Sequence, residues 1–294
     1  YSNVGFRLAF RQTSPPPPIT DANFTTAINL WFNNEANATA TYGHIRDWNV
    51  SGVTNMANAF KDRTTFNEDI SGWDVSNVTN MERMFEGASD FNQSIGNWSV
   101  SSVTNMMDLF KHASSFNQPI GNWNVSSVLS MVGMFSQAST FNQPLENWDV
   151  SKVIGMQHMF NNAALFNQPI GDWNVSAVTN MGYLFRSASS FNQDISNWNT
   201  SGVTRLQEIF RQASAFNQSI TNWDISSVTN MTKMFKDTPT LSDSNKGKIH
   251  SSFSTNQNWP YDWSAFVTTP PPNQTGDNNQ TNPATDNNGC LLYT

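Results

Sequence analysis

Tryptophan recurs every 25 residues, and this period constrains the fold more than any other feature of the chain. The eight tryptophans follow one another without an insertion or a deletion: Trp48, Trp73, Trp98, Trp123, Trp148, Trp173, Trp198 and Trp223. A fixed period of this length is typical of proteins built from stacked repeats, in which each repeat forms one coil. The period therefore predicts an elongated stack of eight coils, and it argues against an enzyme with one deep pocket.

Each coil reads as a short strand followed by a short helix. The coils begin at Ile45, Ile70, Ile95, Ile120, Leu145, Ile170, Ile195 and Ile220. In coil three, Trp98 and Val100 alternate around Ser99, which is the spacing of a strand. An apolar series at helical spacing follows: Val103, Met106, Leu109 and Phe110. We therefore predict a right-handed α/β solenoid of eight 25-residue coils, with a parallel β-sheet on one wall, short helices on the other wall and helical caps at both ends.

Segments of different composition flank the repeats, which we place at residues 45–244. Asp21 is a good helix N-cap, and the apolar residues after it predict an N-terminal cap over 19–44. Aromatic residues near Trp259 predict a C-terminal cap over 245–268. The outer segments are interpreted from composition: 1–13 as the tail of an upstream domain, 14–18 as a proline linker, 269–289 as a disordered linker and 290–294 as the start of a further segment.

Charge and composition exclude several classes of partner. The net charge is -7, with 15 Lys and Arg against 22 Asp and Glu, so binding to nucleic acid is not expected. No apolar run approaches the roughly 18 residues that a membrane-spanning helix needs, so no membrane insertion is expected either. The one cysteine, Cys290, has no partner for a disulfide within the chain.

No residue pattern in the chain indicates catalysis. The four histidines share no metal-ligand spacing: His44, His112, His158 and His250. The sequence contains neither a glycine-rich phosphate loop nor the nucleophile motif of hydrolases. We therefore predict that the chain is not an enzyme, that it has no catalytic residues, and that it needs neither a metal nor another cofactor.

Two columns of polar residues flank the tryptophans and are expected to point outward from the strands. Amide and carboxylate groups dominate these columns, and such groups suit the recognition of glycans or peptide backbone. The candidate ligand-binding residues in the middle coils are Asn97, Ser99, Asn122, Asn124, Asn147, Asp149, Asp172 and Asn174. The alternative interpretation is a solvated surface that is kept polar to prevent aggregation. We call these eight positions the polar strip.

Two further patterns concern packing and the remaining surface. An asparagine follows the last phenylalanine of each of the first seven coils, as in Asn117 and Asn142, and we expect its amide to bond the backbone of adjacent coils. Leu129 and Ile154 stand where other coils have threonine, so they predict a small exposed apolar patch beside Met107 and Val132. Such a patch marks either a partner contact or neutral drift on an unused surface.

The repeat phrase W-[ND]-V-S-x-V-T-N-M-x-x-M-F-x-x-A-x-x-F-N-Q resembles the repeats of BspA-like leucine-rich-repeat bacterial surface proteins, over roughly residues 19–268. The resemblance implies a leucine-rich-repeat-like fold and a non-enzymatic extracellular or cell-surface module, for adhesion or for recognition of a protein or glycan ligand. It supplies no site residues. Two alternatives stay open: a structural spacer in a large multidomain surface protein, and an accessory domain of a secreted enzyme. The second is suggested by residues 3–7, which resemble the end of formylglycine-generating (sulfatase-modifying-factor) domains.

Overall fold

The structure is a computed structural model that describes residues 16–268. Three α-helices are present in this range: α1 spans Phe24–Asn33, α2 spans Glu35–Tyr42 and α3 spans Asp243–Phe253. Two short 3-10 helices span Ile45–Asp47 and Ser264–Phe266. The expectations for residues 1–13 and 269–294, and part of the expected proline linker, concern residues outside the described range.

The predicted α/β architecture is wrong, because the described coils contain neither a β-sheet nor a wall of helices. Parallel pairing is limited to single bridges between successive coils, such as Asn80 with Asn105 and Asn105 with Ser130. The segment predicted to be helical is instead a run of turns. In coil three, the N–H of Leu109 donates to the carbonyl of Met106 at 3.3 Å, three residues earlier rather than four. The same spacing repeats along the segment, so each coil is a chain of turns joined by extended pieces.

Two left-handed residues in every coil explain why no helix forms there. In coil three these are Asp108, with φ of 53°, and His112, with φ of 60°. The equivalent residues of all the other coils also have positive φ, and only two of these residues, Gly87 and Gly133, are glycine. A right-handed helix cannot pass through a left-handed residue, because the chain there turns in the opposite sense.

Backbone bonds between coils replace those that a helix would make within one. The N–H groups of 106, 108, 110 and 112 donate to the carbonyls of 130, 132, 134 and 136 in the next coil, at distances of 2.8–3.0 Å. All seven junctions repeat these four bonds, and in every case the N–H group belongs to the earlier coil. Because the neighbouring coil satisfies these groups, the turns leave few backbone donors unpaired.

Aromatic rings fill the centre of the stack. Phe110 and Phe116 stack within coil three with centroids 3.9 Å apart, and Phe110 also stacks on Phe135 of the next coil at 5.7 Å. The indole N–H of Trp123 donates to the carbonyl of Ile95 in the preceding coil at 3.1 Å. The repeated tryptophans are only 2–4% exposed, so they are packing residues and do not form a binding platform.

The asparagine column joins successive coils, as the sequence predicts. The Oδ1 atom of Asn142 accepts the N–H of Asn167 at 2.9 Å and the Nε2 of Gln168 at 2.9 Å. The equivalent backbone bond recurs from Asn67 as far as Ser242, which receives it at the end of the stack. Each asparagine therefore couples one coil to the next through both backbone and side chain.

Helices and aromatic residues cover both ends of the stack. Asp21 does not cap a helix, because α1 begins after Asn23. The carboxylate of Asp21 instead accepts hydrogen bonds from the N–H of Thr54 at 2.8 Å and from the hydroxyl of Thr54 at 2.6 Å. At the other end, the hydroxyl oxygen of Tyr261 accepts the N–H of Phe235 at 2.8 Å. Both side chains supply the hydrogen-bond acceptor that a neighbouring coil supplies elsewhere in the stack.

Candidate functional site

All eight residues of the polar strip are exposed, and they flank the buried tryptophans as predicted. Alternation between a buried and an exposed residue therefore holds around Trp98, Trp123, Trp148 and Trp173, even though no sheet is present. Extended backbone alone places successive side chains on opposite sides, so the alternation does not need a strand partner. The strip is thus a surface of the coil stack and not the face of a sheet.

The column that follows each tryptophan has a structural role that sequence analysis missed. The Oδ1 atom of Asn124 accepts the N–H of Ser126 at 3.2 Å and its hydroxyl at 2.7 Å. Asp149 accepts the N–H of Ser151 at 3.0 Å, and Asn174 binds Ser176 in the same way. These are Asx turns, in which an amide or carboxylate holds the backbone two residues later. The bond from the serine hydroxyl accounts for the serine at this position in coils such as coil four, which has Ser126.

The aspartate of this column is ionised at neutral pH. The hydroxyl and the N–H of Ser151 hold the pKa of Asp149 below its ordinary value, and the charge of Lys152 adds to the effect. Slight burial acts in the opposite direction but is outweighed. Asp149 therefore places a negative charge on the strip, where it accepts hydrogen bonds but donates none.

Four residues of the strip come together between coils four and five. They line a shallow depression of about 380 Å³: Asn122, Asn124, Asn147 and Asp149. The other four candidates lie on the neighbouring coils and do not line it: Asn97, Ser99, Asp172 and Asn174. The depression thus combines three amides with one carboxylate, a set that pairs with hydroxyl or peptide groups and contains no nucleophile or general base pair.

The comparison with known families places the chain by its repeats. A family model described as "Mycoplasma protein of unknown function, DUF285" matches residues 26–148 and again residues 129–248. The chain belongs to this family. The overlap of the two matches is expected, since a model of several repeats aligns to the stack in more than one register. No curated protein matches the chain.

Neither a metal-binding cluster of side chains nor a membrane-spanning helix is present in the described part of the chain. Between residues 16 and 268, no three side chains among His, Cys, Asp and Glu are close enough to share a metal ion. In the same range, no helix has both the length and the apolar character that a membrane crossing requires.

Charged residues 25 positions apart form ion pairs on the wall of turns. Lys61 and Lys111, on either side of Glu86, contact its carboxylate at 2.9 Å and 3.3 Å. Burial raises the pKa of Glu86, but hydrogen bonds and charges from both lysines outweigh this and lower it. Glu208 also has two cationic partners, although not at the repeat spacing: Arg211 of the same coil at 2.9 Å and Arg186 of the preceding coil at 3.4 Å. The sequence signal for the first group was the presence of opposite charges at the repeat spacing, in Lys61, Glu86 and Lys111.

The predicted apolar patch is smaller than expected. Leu129 is 46% exposed and Ile154 is 52% exposed, and the N–H of Ile154 donates to the carbonyl of Leu129 at 2.9 Å. Met107 and Val132 are half-buried. In other coils a threonine hydroxyl, such as that of Thr104, bonds the carbonyl of the preceding coil, so this pair interrupts a column of hydroxyl groups.

Proposed function

We propose that this chain is a non-enzymatic recognition module of an extracellular or cell-surface protein, and that the polar strip of coils four and five contacts its ligand. The observation that carries the proposal is the depression in which four of the strip residues meet on an exposed surface of the stack. Its amides and carboxylate favour a glycan or an extended stretch of an extracellular protein as the ligand.

The four residues divide into two that hold the backbone and two that are available for a ligand. Asn124 and Asp149 are engaged in Asx turns with Ser126 and Ser151. No described residue forms a hydrogen bond with the side-chain amide of Asn122 or Asn147, and both residues are exposed. An amide that offers donors and acceptors without an internal partner is suited to recognition, since binding breaks no existing protein contact.

The test is a screen of the full chain against arrays of glycans, extracellular matrix proteins and whole cells. The double variant Asn122→Ser and Asn147→Ser should weaken binding about tenfold, because two hydrogen bonds together contribute about 1–3 kcal/mol. The matched control is Asn197→Ser, which changes the same column in coil seven, outside the depression. Binding to none of the arrays, or equal binding by the double variant and the control, would contradict the proposal.

A second candidate function is a structural spacer, favoured by the near-identity of the coils. Each junction repeats the same four backbone bonds, so the stack sets a fixed distance between its ends. A spacer requires length and not surface chemistry. Replacing the asparagines and aspartates of the strip with serine keeps the length and changes the surface chemistry, and if cell binding then persists, recognition by the strip is ruled out and the spacer is supported. The accessory-domain alternative depends on residues 3–7, which lie outside the described range.

A further inference from the structure

A larger depression, of about 630 Å³, lies where coil eight meets the C-terminal cap. Coil eight contributes Asp224, Ser226 and Thr229 to its lining, and the cap contributes Ser252 and the loop Thr255–Asn258. The depression exists because no ninth coil covers this edge of coil eight. Ile225 is accordingly 7% exposed, whereas the valines at the equivalent position of inner coils are at most 1% exposed.

Hydrogen bonds fasten the cap loop to coil eight and hold the depression in shape. The Nδ2 atom of Asn256 donates to the carbonyls of Ile225 at 2.7 Å and Val228 at 3.1 Å. The Nδ2 atom of Asn258 donates to Val228 at 3.3 Å, and its N–H donates to the Oδ1 of Asn256 at 2.8 Å. A loop tied down in this way needs little ordering when a ligand binds, and pre-formed sites lose less entropy on binding.

The lining is rich in groups that pair with hydroxyls. None of the bonds that fasten the loop uses the side chain of Ser252, Thr255 or Gln257, and all three residues are exposed. Hydroxyls and amides both donate and accept hydrogen bonds, as the hydroxyl groups of a sugar do. The lining also includes Ile225, whose 7% exposure offers a small apolar surface to the C–H face of a sugar ring.

The charge of the lining excludes other small ligands. No lysine or arginine lines the depression, and Asp224 contributes a negative charge. Phosphate, nucleotides and acidic sugars are therefore repelled rather than held. A single carboxylate is too little for a divalent cation, which in proteins takes several oxygen ligands of high charge.

We propose that the depression between coil eight and the C-terminal cap is a binding site for a short neutral oligosaccharide. Its volume lies within the range of small-ligand sites, which is about 300–1,000 Å³. This site is separate from the polar strip of coils four and five, so neither proposal depends on the other.

The experiment titrates the full chain with neutral monosaccharides and disaccharides of glucose, galactose and N-acetylglucosamine, followed by saturation-transfer NMR and calorimetry. At least one of these sugars should bind with a millimolar or tighter Kd. Gln257→Ala should weaken that binding about tenfold, as expected for the loss of one or two hydrogen bonds. Thr255→Trp should abolish it by filling the depression, and because Thr255 is exposed, this variant is expected to fold.

The controls separate this site from the strip. The double variant Asn122→Ser and Asn147→Ser should bind the same sugar with unchanged affinity. If that variant loses the sugar while Thr255→Trp keeps it, the cap site is refuted and the strip proposal is supported. If no neutral sugar binds, the cap site is refuted because it has no ligand of the proposed class. If glucuronic acid binds more tightly than glucose, the cap site is refuted because a negatively charged lining should repel an acidic sugar.

Discussion

Glycine substitutions at two lysines of coil eight distinguish a wall of turns from a wall of helices. Lys233 and Lys236 are both exposed and only three residues apart. Lys233 has φ of 55°, whereas Lys236 is not among the residues with positive φ. If this segment were a helix, glycine would lower the free energy of unfolding at both positions. In the structure described above, they should respond in opposite directions.

The magnitude follows from backbone conformation alone if each glycine variant is compared with the alanine variant at the same position. A left-handed conformation costs a residue with a Cβ atom about 1–2 kcal/mol, and glycine avoids this. Glycine also loses more conformational entropy on folding, which costs about 0.5–1 kcal/mol. Lys233→Gly should therefore raise the free energy of unfolding by roughly 0.5–1 kcal/mol over Lys233→Ala. Lys236→Gly should lower it by about 0.5–1 kcal/mol relative to Lys236→Ala.

Urea unfolding followed by tryptophan fluorescence measures these differences, since the tryptophans of the repeats are 2–4% exposed and report the loss of packing. The comparison within each pair cancels the loss of the lysine side chain. If Lys233→Gly proves less stable than Lys233→Ala by the same amount as the Lys236 pair, the segment is helical and the account of the turns is refuted.

Three further substitutions test the end cap, the asparagine column and a half-buried histidine. Asp21→Asn should lower the free energy of unfolding by about 0.5 kcal/mol at pH 7, because hydrogen bonds to a charged acceptor are stronger than those to a neutral amide and the site is exposed to solvent. Hydrogen bonds from Thr54, led by its hydroxyl, lower the pKa of Asp21, so the difference should vanish as the pH falls below about 4. Asn142→Ala should lower the free energy of unfolding by about 1–2 kcal/mol in urea unfolding, because the N–H of Asn167 loses its acceptor while Gln168 keeps only the backbone carbonyl of residue 142. Burial, followed by the charge of Arg186, lowers the pKa of His158, so stability should fall as the pH drops below about 6.5, and His158→Gln should remove that slope in a pH series of melting curves.

Each of these substitutions has a matched control in the chain. The control for Asp21→Asn is Asp47→Asn, which removes an exposed carboxylate near the N-terminal end of the stack and should leave the free energy of unfolding at pH 7 unchanged. The control for Asn142→Ala is Asn147→Ala, which changes an exposed asparagine outside the asparagine column. It should alter the free energy of unfolding by less than about 0.5 kcal/mol. His112→Gln, at an exposed histidine, should preserve the pH slope. A control that matches its partner variant would contradict the corresponding assignment.

The buried residues of the repeats were predictable, but the backbone that carries them was not. The spacing of Val103, Met106 and Phe110 identifies residues that face the core, and all three are fully buried. That spacing fits a helix, but a run of three-residue turns also returns the chain to the core after three or four residues. The left-handed residues that distinguish the turns from a helix are mostly not glycine, as Asp108 and His112 show. Their positions therefore could not be predicted from a pattern of glycines.

The sequence indicated the exposed strip but not how its members divide their roles. The Asx turn is readable in hindsight from phrases such as Asn124-Val125-Ser126, in which an amide precedes a serine by two residues. The cap depression was not predictable, because it depends on where the loop Thr255–Asn258 comes to rest against coil eight. Contacts between a repeat and a non-repeating segment do not recur along the sequence, so periodicity does not predict them.

The four backbone bonds that repeat on the wall of turns all run from the N–H groups of one coil to the carbonyls of the next, and this gives the stack a head and a tail. Every coil presents the same four N–H groups to its successor and the same four carbonyls to its predecessor. A duplicated stretch of 75 nucleotides would therefore add a coil at any interior junction without a new kind of contact, and its loss would remove one. The two terminal segments cannot exchange places, since on the wall of turns the first coil leaves its carbonyls without a preceding coil and the last coil leaves its N–H groups without a following one. The length of such a protein is free to change in evolution, while its polarity is not.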